Sequence, residues 1–205
     1  MPNLWTSAEH ALGYLSRADK MPHRTEGEAV LLDFVPKTVR RILDIGSGNG
    51  RLLALLKIDR VQAEAIGLDF SPTMLKAARE RFSEDPKIKI IEHNLDSPLP
   101  DLGKFDAIVS SFAIHHLEDE RKRSLYQEIF EKLLPGGIFC NLEHVSSPPR
   151  IHQVFMKAMQ AEEDPSNKLL DVETQIRWLS EIGFEDADCY WKWLEMALLI
   201  GQKPL

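Results

Sequence analysis

Residues 42–50 read Ile-Leu-Asp-Ile-Gly-Ser-Gly-Asn-Gly and hold the densest chemistry in the chain. A short apolar run, Arg41–Ile45, ends in glycines at alternate positions, Gly46, Gly48 and Gly50, and a helix-like run, Arg51–Lys57, follows at once. Bare backbone at such a turn approaches a ligand closely, because no Cβ stands in the way. Asp44, at the strand's end, can accept hydrogen bonds from a cationic or hydroxylated ligand. A dinucleotide fingerprint wants G-x-G-x-x-G, but the third required position here is Arg51. A P-loop's G-x-x-x-x-G-K-[ST] is absent as well. The loop therefore predicts a ligand without a pyrophosphate.

Further chemistry-bearing residues recur at the ends of later strand-like runs. Asp69 lies about twenty residues past the glycines, where an acid can hold both hydroxyls of a ribose, and Phe70 can lie against a purine face. Ser71 is read as the helix cap, which leaves Asp69 for a ligand. His93-Asn94-Leu95-Asp96 follows the third run, and Asp96 can accept from an exocyclic amine or cap its own loop. After the fourth run, Ser110 to Leu117 contains His115 and His116, either of which can serve as a general base. No third ligand is placed near the pair by local spacing, so no metal is expected. The fifth run ends in Glu143-His144, whose side chains point to opposite faces, so at most one meets a pocket.

Positioning these residues requires an alternating scaffold. Strand-like runs cover Arg41–Ile45, Ala65–Asp69, Ile88–Glu92, Phe105–Ser110, Gly137–Leu142, Glu185–Tyr190 and Leu194–Gly201. Helix-like runs cover Ser7–Arg17, Thr25–Phe34, Arg51–Lys57, Pro72–Phe82, Glu120–Leu134, Pro149–Glu162 and Val172–Ile182. Pro72 after Ser71 marks one helix start, Asp171 and Gly183 bracket another helix, and Pro135-Gly136-Gly137 stops a third. The expected fold is α/β: a doubly wound, mostly parallel seven-stranded sheet with helices on both faces. The last two runs, joined near Trp191–Trp193, are too close for a parallel crossover and predict an antiparallel C-terminal hairpin. Ligands of such sheets lie beyond the carboxyl ends of the strands, where strand order reverses.

At 205 residues the chain suits a single domain. The expected division is an N-terminal helical cap (1–38), a ligand-binding core (39–145), a lid (146–171) and a C-terminal helix and hairpin (172–205). A formal net charge of −7 argues against general attraction to nucleic-acid phosphates. No apolar run approaches the roughly 20 residues that span a bilayer, and residues 1–10 carry no basic-then-apolar leader pattern. Cys140 and Cys189 sit in apolar runs and read as buried thiols. A cytoplasmic protein, monomeric or homodimeric, is expected.

From about Val39 to Lys203 the chain resembles the class I S-adenosylmethionine-dependent methyltransferases. The likeness rests on Leu43–Gly50, Gly67-Leu68-Asp69-Phe70-Ser71, Asn94-Leu95-Asp96, Phe105–Ser110 with His115-His116-Leu117, and Leu134-Pro135-Gly136-Gly137, in that order. It implies S-adenosyl-L-methionine as cofactor, with the Gly46–Gly50 loop on the methionine part, Asp69 on the ribose, and Leu95 and Asp96 at the adenine. The full set of cofactor candidates is Asp44, Gly46, Ser47, Gly48, Asn49, Gly50, Asp69, Phe70, Met74, Asn94, Leu95, Asp96, Ser110 and Ser111. His115, His116, Tyr14 and Arg24 are the candidates at the reacting centre.

The acceptor is expected between two flanking segments. One is the N-terminal helix pair, with Trp5, His10, Tyr14, Arg17, His23 and Arg24; the other is 146–170, with Arg150, His152, Phe155, Met156 and Met159. Arg24 can hold a carboxylate of the cofactor or of an acidic acceptor, or can sit in solvent. The reading favours a small-molecule acceptor methylated on oxygen, carboxylate or hydroxyl, slightly ahead of nitrogen. A diffuse likeness to wobble-uridine tRNA enzymes makes tRNA modification the runner-up, weakened by the negative charge. A non-catalytic cofactor-binding module is the third reading.

Overall fold

The computed structural model describes residues 4–18, 20–160 and 163–205. The Arg17 side chain and residues 161–162, which fall within the expected cap and lid, lie outside the described residues. The strands are β1 (Arg41–Ile45), β2 (Glu64–Asp69), β3 (Ile88–Glu92), β4 (Phe105–Ser111), β5 (Leu133–His144), β6 (Glu185–Trp193) and β7 (Met196–Gln202). The helices are α1 (Ala8–Ala18), α2 (Arg24–Phe34), α3 (Arg51–Asp59), α4 (Pro72–Arg81), α5 (Asp119–Lys132), α6 (Pro149–Met159) and α7 (Val172–Ile182).

One seven-stranded sheet runs in the order β3-β2-β1-β4-β5-β7-β6. β1 to β5 pair in parallel, while β7 runs antiparallel to both β5 and β6. Interior strands of a sheet covered on both faces must be apolar on both faces, and β1 is buried from Ile42 to Ile45. Alternate residues feed two cores. Ile42, Ala107, Val109 and Cys140 pack with α2, α3 and Phe155 of α6; Leu43, Ile45, Ile108 and Phe139 pack with α5 and Leu179 of α7. Strand order reverses between β1 and β4, which opens a crevice beyond their carboxyl ends.

Several expected boundaries moved. α5 stops at Lys132 rather than Leu134, and Pro135-Gly136-Gly137 lies inside β5. The pairing of β4 with β5 slips between Phe105 and Ala107, so an irregularity takes up these residues, with Gly136 at φ +75. Proline is tolerated in a strand at such a place. The C-terminal hairpin turns at Leu194–Glu195, where Leu194 has φ +49, so Trp191 to Trp193 belong to β6. α6 ends at Met159 because Gln160 turns left-handed. At α7 the expected signals operate: Asp171 accepts from the Thr174 N–H at 2.8 Å, and Gly183 at φ +115 closes the helix.

Arg60, 3% exposed, knits α2 to α3. Its guanidinium donates to the carbonyls of Leu32 (2.6 Å), Val35, Pro36 (3.3 Å) and Leu56 (3.5 Å), at and just beyond the C-terminal ends of the two helices. An orphaned buried acceptor costs about 1–3 kcal/mol. Arg60→Met, which keeps the apolar stem, is expected to lower stability by about 2–4 kcal/mol in urea denaturation; a loss below about 0.5 kcal/mol would show that the carbonyls find other partners.

Candidate active site

The crevice opens into two adjoining chambers of about 770 and 760 Å³. The first is built on the glycine loop. Gly46, Gly48 and Gly50 all have positive φ (+69, +55 and +77), a conformation that only glycine adopts without strain. A side chain at Gly46 would strike Ala113 Cβ at 2.1 Å, and one at Gly50 would strike Phe82 at 2.3 Å. Beside Gly48 a Cβ would meet nothing nearer than Met74 Sδ at 4.0 Å, so the loop's open space lies there. Asp69 fastens the loop: its Oδ2 accepts from the Gly48 N–H and its Oδ1 from the Ser71 N–H, both at 2.8 Å.

Of the cofactor candidates, Asp44, Gly46, Ser47, Gly48, Asn49, Asp69, Phe70, Met74, Asn94, Leu95, Asp96 and Ser111 line the first chamber. Gly50 and Ser110 stand outside its wall. Gly50 starts α3 against the Phe82 ring, and the Ser110 hydroxyl is spent inside the sheet on the Ile45 carbonyl at 2.8 Å. Ser71 is the N-cap of α4 with Pro72 at N1, as expected, but it makes no side-chain cap hydrogen bond. Its hydroxyl is buried without a partner, and the Asp69 carboxylate meets the helix start instead. Asn94 shapes its own loop by accepting from the Asp96 N–H at 3.0 Å. Arg121 on α5 grips the same loop at the Leu95 and Ser97 carbonyls (2.6 and 2.9 Å). Its role was invisible in the sequence, because the contact spans 26 residues.

This wall holds buried polar groups with no partner among the described residues. Both oxygens of Asp44, 1% exposed, lack a hydrogen-bond partner, as do the hydroxyls of Ser47 and Ser111. Such groups are rarely left unmatched in a folded protein. Burial pushes the Asp44 carboxyl up to about 7; the nearby Ser47 hydroxyl opposes this, and the Asp69 carboxylate adds to it. Burial likewise raises Asp69, against the N–H groups of Ser71 and Gly48. Arg24 is buried, not in solvent. It donates to Glu28 at 2.8 Å and Tyr14 at 3.1 Å and stands 5.3 Å from the centre of the Phe112 ring, while Glu28 also holds Arg51. Phe112, at φ +54, is the bulky residue that ends β4 and turns the chain toward both chambers.

Trp5, Tyr14, Phe112, His116 and Pro165 border both chambers. The two histidines therefore separate in role: His116 lies on the shared wall, and His115 lines the second chamber alone. His115 Nδ1 lies 2.5 Å from Glu143 Oε1, and burial beside His144 pushes the imidazole well below its ordinary range. Burial raises Glu143 to about 7, against its hydrogen bonds and the neighbouring histidines. Burial and His115 hold His116 down at about 3, and its Nδ1 meets Ser166. His144 lines the second chamber and Glu143 stands behind His115, so one of the two β5 residues faces the pocket, as alternation requires. Glu195, which no local pattern marked, is 1% exposed in the hairpin turn and accepts from His144, His152 and Ser147. Of the expected lid residues, His152, Phe155, Met156 and Met159 reach this chamber, while Arg150 and His23 line neither. Among the described residues no cluster of three or more His, Cys, Asp or Glu is arranged to hold a metal.

The electrostatics of Asp44 predict a pH effect. Its carboxyl binds a proton more tightly in the folded chain than at its ordinary value of 3.8. Stability is therefore full at low pH and is lost as pH rises from about 4 toward 7. Asp44→Asn is expected to stabilise the ligand-free protein at pH 8, by up to about 4 kcal/mol, and little at pH 4. Urea midpoints at the two pH values check this, and equal effects at both would place the carboxylate in a more solvated setting.

Comparison with known proteins agrees with this geometry. Residues 42–137 match a family described as a methyltransferase domain. A demethylmenaquinone methyltransferase of Thermus thermophilus is 35% identical over 114 residues, covering 55% of this chain and 50% of that protein. The chain thus spans about half the length of the curated relatives it matches first. A carboxy-S-adenosyl-L-methionine synthase of Helicobacter hepaticus is 22% identical over 214 residues, covering 89% and 87%. Human N-acetylserotonin methyltransferase in complex with SAM superposes with a TM-score of 0.72 at 20% identity, over 98% of this chain and 58% of that one, which is a likeness of fold. Over residues 42–137 the chain is thus similar to a methyltransferase domain, and its sheet has the fold of S-adenosylmethionine-dependent methyltransferases.

Proposed function

We propose that the protein transfers the methyl group of S-adenosylmethionine to an oxygen of a small molecule held in the second chamber. The observation that carries this reading is the pair of chambers meeting at a common wall, with an imidazole–carboxylate pair, His115–Glu143, just beyond it. When bound, the cofactor supplies a methyl already activated on a sulfonium, so that an oxygen lone pair forms the new O–C bond while the C–S pair returns to sulfur. The chain's task is then to align, to exclude water and to manage one proton. Alignment of this kind is worth roughly 7–11 kcal/mol.

Asp69 is the group for the ribose hydroxyls: each carboxylate oxygen accepts one backbone N–H and retains capacity for another donor. Asp44, with Ser47 beside it, suits the ammonium of the methionine end, whose charge relieves the buried carboxylate. Arg24, preset by Glu28 and Tyr14, suits its carboxylate. Phe70, Asn94, Leu95 and Asp96 enclose the adenine end. His115 acts as base. Glu143 accepts from Nδ1–H, fixes the tautomer and leaves Nε2 as the acceptor nitrogen. The segment around Pro165 and Ser166, tied to His116, serves as the lid over both chambers. Chambers walled by histidine, methionine and aromatic side chains support a small acceptor over tRNA.

Asp69→Ala is expected to weaken S-adenosylhomocysteine binding by roughly 1.5–3 kcal/mol, about 10- to 150-fold, in calorimetry; unchanged affinity would remove the ribose assignment. His115→Ala is expected to lower kcat at least 100-fold with cofactor affinity intact, the loss typical of a missing general base. The assay is transfer of labelled methyl into a metabolite extract, and equal turnover would remove the base.

A further inference from the structure

The second chamber carries information about its acceptor beyond the fact of methyl transfer. Its apolar wall comes from Met21, Phe155, Met156, Met159 and Met196, contributed by three separate segments. Its charged wall is acidic. Glu163 and Asp164 line it directly, and Glu143 and Glu195 stand immediately behind the imidazoles of His115, His144 and His152. Among the described residues Lys20 is the only lysine or arginine in that wall. The histidines are spoken for on their outer edges: Glu143 takes His115, Ser166 takes His116, and Glu195 takes both His144 and His152.

We propose that the second chamber selects an uncharged, weakly acidic hydroxyl, of the phenol or enol kind, on an apolar frame, and rejects carboxylates. The inference rests on the methyltransferase reading and narrows the oxygen acceptor it leaves open. A carboxylate needs no base and would meet a wall in which Glu163, Asp164, Glu143 and Glu195 outnumber the cations, Lys20 and a His152 whose protonated form Glu195 and Glu163 favour, so like charges repel it. An alkylammonium would be attracted, but as a cation it carries no lone pair and cannot attack the methyl until its proton has left, whereas a neutral hydroxyl keeps a lone pair while its proton is transferred. A phenolic or enolic hydroxyl satisfies both constraints. It enters uncharged, buries its frame against methionine and phenylalanine, and donates to His115 Nε2. In the step itself the hydroxyl proton passes to His115 Nε2, the oxygen pair forms the bond to the methyl carbon, and the C–S bonding pair remains on sulfur. Glu143 is the positioning residue that stabilises the imidazolium so formed. Burial keeps His115 unprotonated in the resting site, ready to accept.

The test uses the full chain saturated with S-adenosylhomocysteine and three probes on one frame: 2-naphthol, 2-naphthoate and 2-naphthylmethylamine, titrated calorimetrically at pH 7.5. 2-Naphthol is expected to bind at least tenfold more tightly than 2-naphthoate, while 2-naphthylmethylamine is expected to bind but to give no methylated product when S-adenosylmethionine replaces S-adenosylhomocysteine. Glu195→Gln and Glu163→Gln, remote from the base, are expected to narrow the gap to 2-naphthoate by severalfold while leaving S-adenosylhomocysteine affinity unchanged. 2-Naphthoate binding as well as 2-naphthol, or no probe binding at all, overturns the proposal. Failure of S-adenosylhomocysteine itself to bind would instead strike the methyltransferase reading, so the two failures are distinguishable.

Discussion

The Asp69 carboxylate is the constraint on which the rest of the site depends. It draws the Gly48 N–H of the glycine loop and the Ser71 N–H at the start of α4 onto one side chain, so two βα turns become one rigid rim. The rim needs positive φ at three positions, and the neighbours Ala113 and Phe82 fill the space that side chains would take there. Backbone shape, glycine identity and carboxylate position are therefore a single requirement. Asp44, 1% exposed beneath this rim, has no hydrogen-bond partner among the described residues, and such an unpaired buried carboxyl is costly.

Beyond the rim, function follows from where each wall begins. The first chamber is made almost wholly from strand ends, as expected of a sheet whose order reverses between β1 and β4. The second is made from additions to that sheet: the N-terminal helices, α6 and the segment after it. One fold thus keeps a common cofactor seat and varies the acceptor seat, which is why fold alone does not name a substrate. His116, on the shared wall, and His115, one residue further into the second chamber, mark the boundary between the two.

Polar clusters tie the additions to the sheet. Glu195 in the β6–β7 turn holds His144 of β5 and His152 of α6, and Phe155 packs its ring 5.0 Å from His144. Hydrogen bonds from Ser147 and the two histidines hold the Glu195 carboxyl below its ordinary range despite burial. On the other side Lys122 of α5, nearly fully buried, reaches Asp119 and the Lys168 carbonyl, and the Lys168 N–H donates to the His115 carbonyl. The segment between α6 and α7 is thereby fastened beside His115.

Local sequence determined the elements, the parallel sheet, the closing hairpin and the glycine loop with its two acids, because periodicity, glycine spacing and capping residues act within a few positions. The α7 cap at Asp171 and the stop at Gly183 are cases where short-range chemistry was sufficient. Tertiary structure decided what depends on contacts across tens of residues. It turned Ser110 inward to Ile45, 65 residues away, and left the Ser71 hydroxyl at the start of α4 buried without a partner while its N–H meets Asp69. It also buried Arg24 against Glu28 and Tyr14, and paired His115 with Glu143 across 28 residues. Charge pairing and burial are properties of the packed chain, so a residue's identity fixes the chemistry available to it, and only its neighbours in space fix which chemistry it performs.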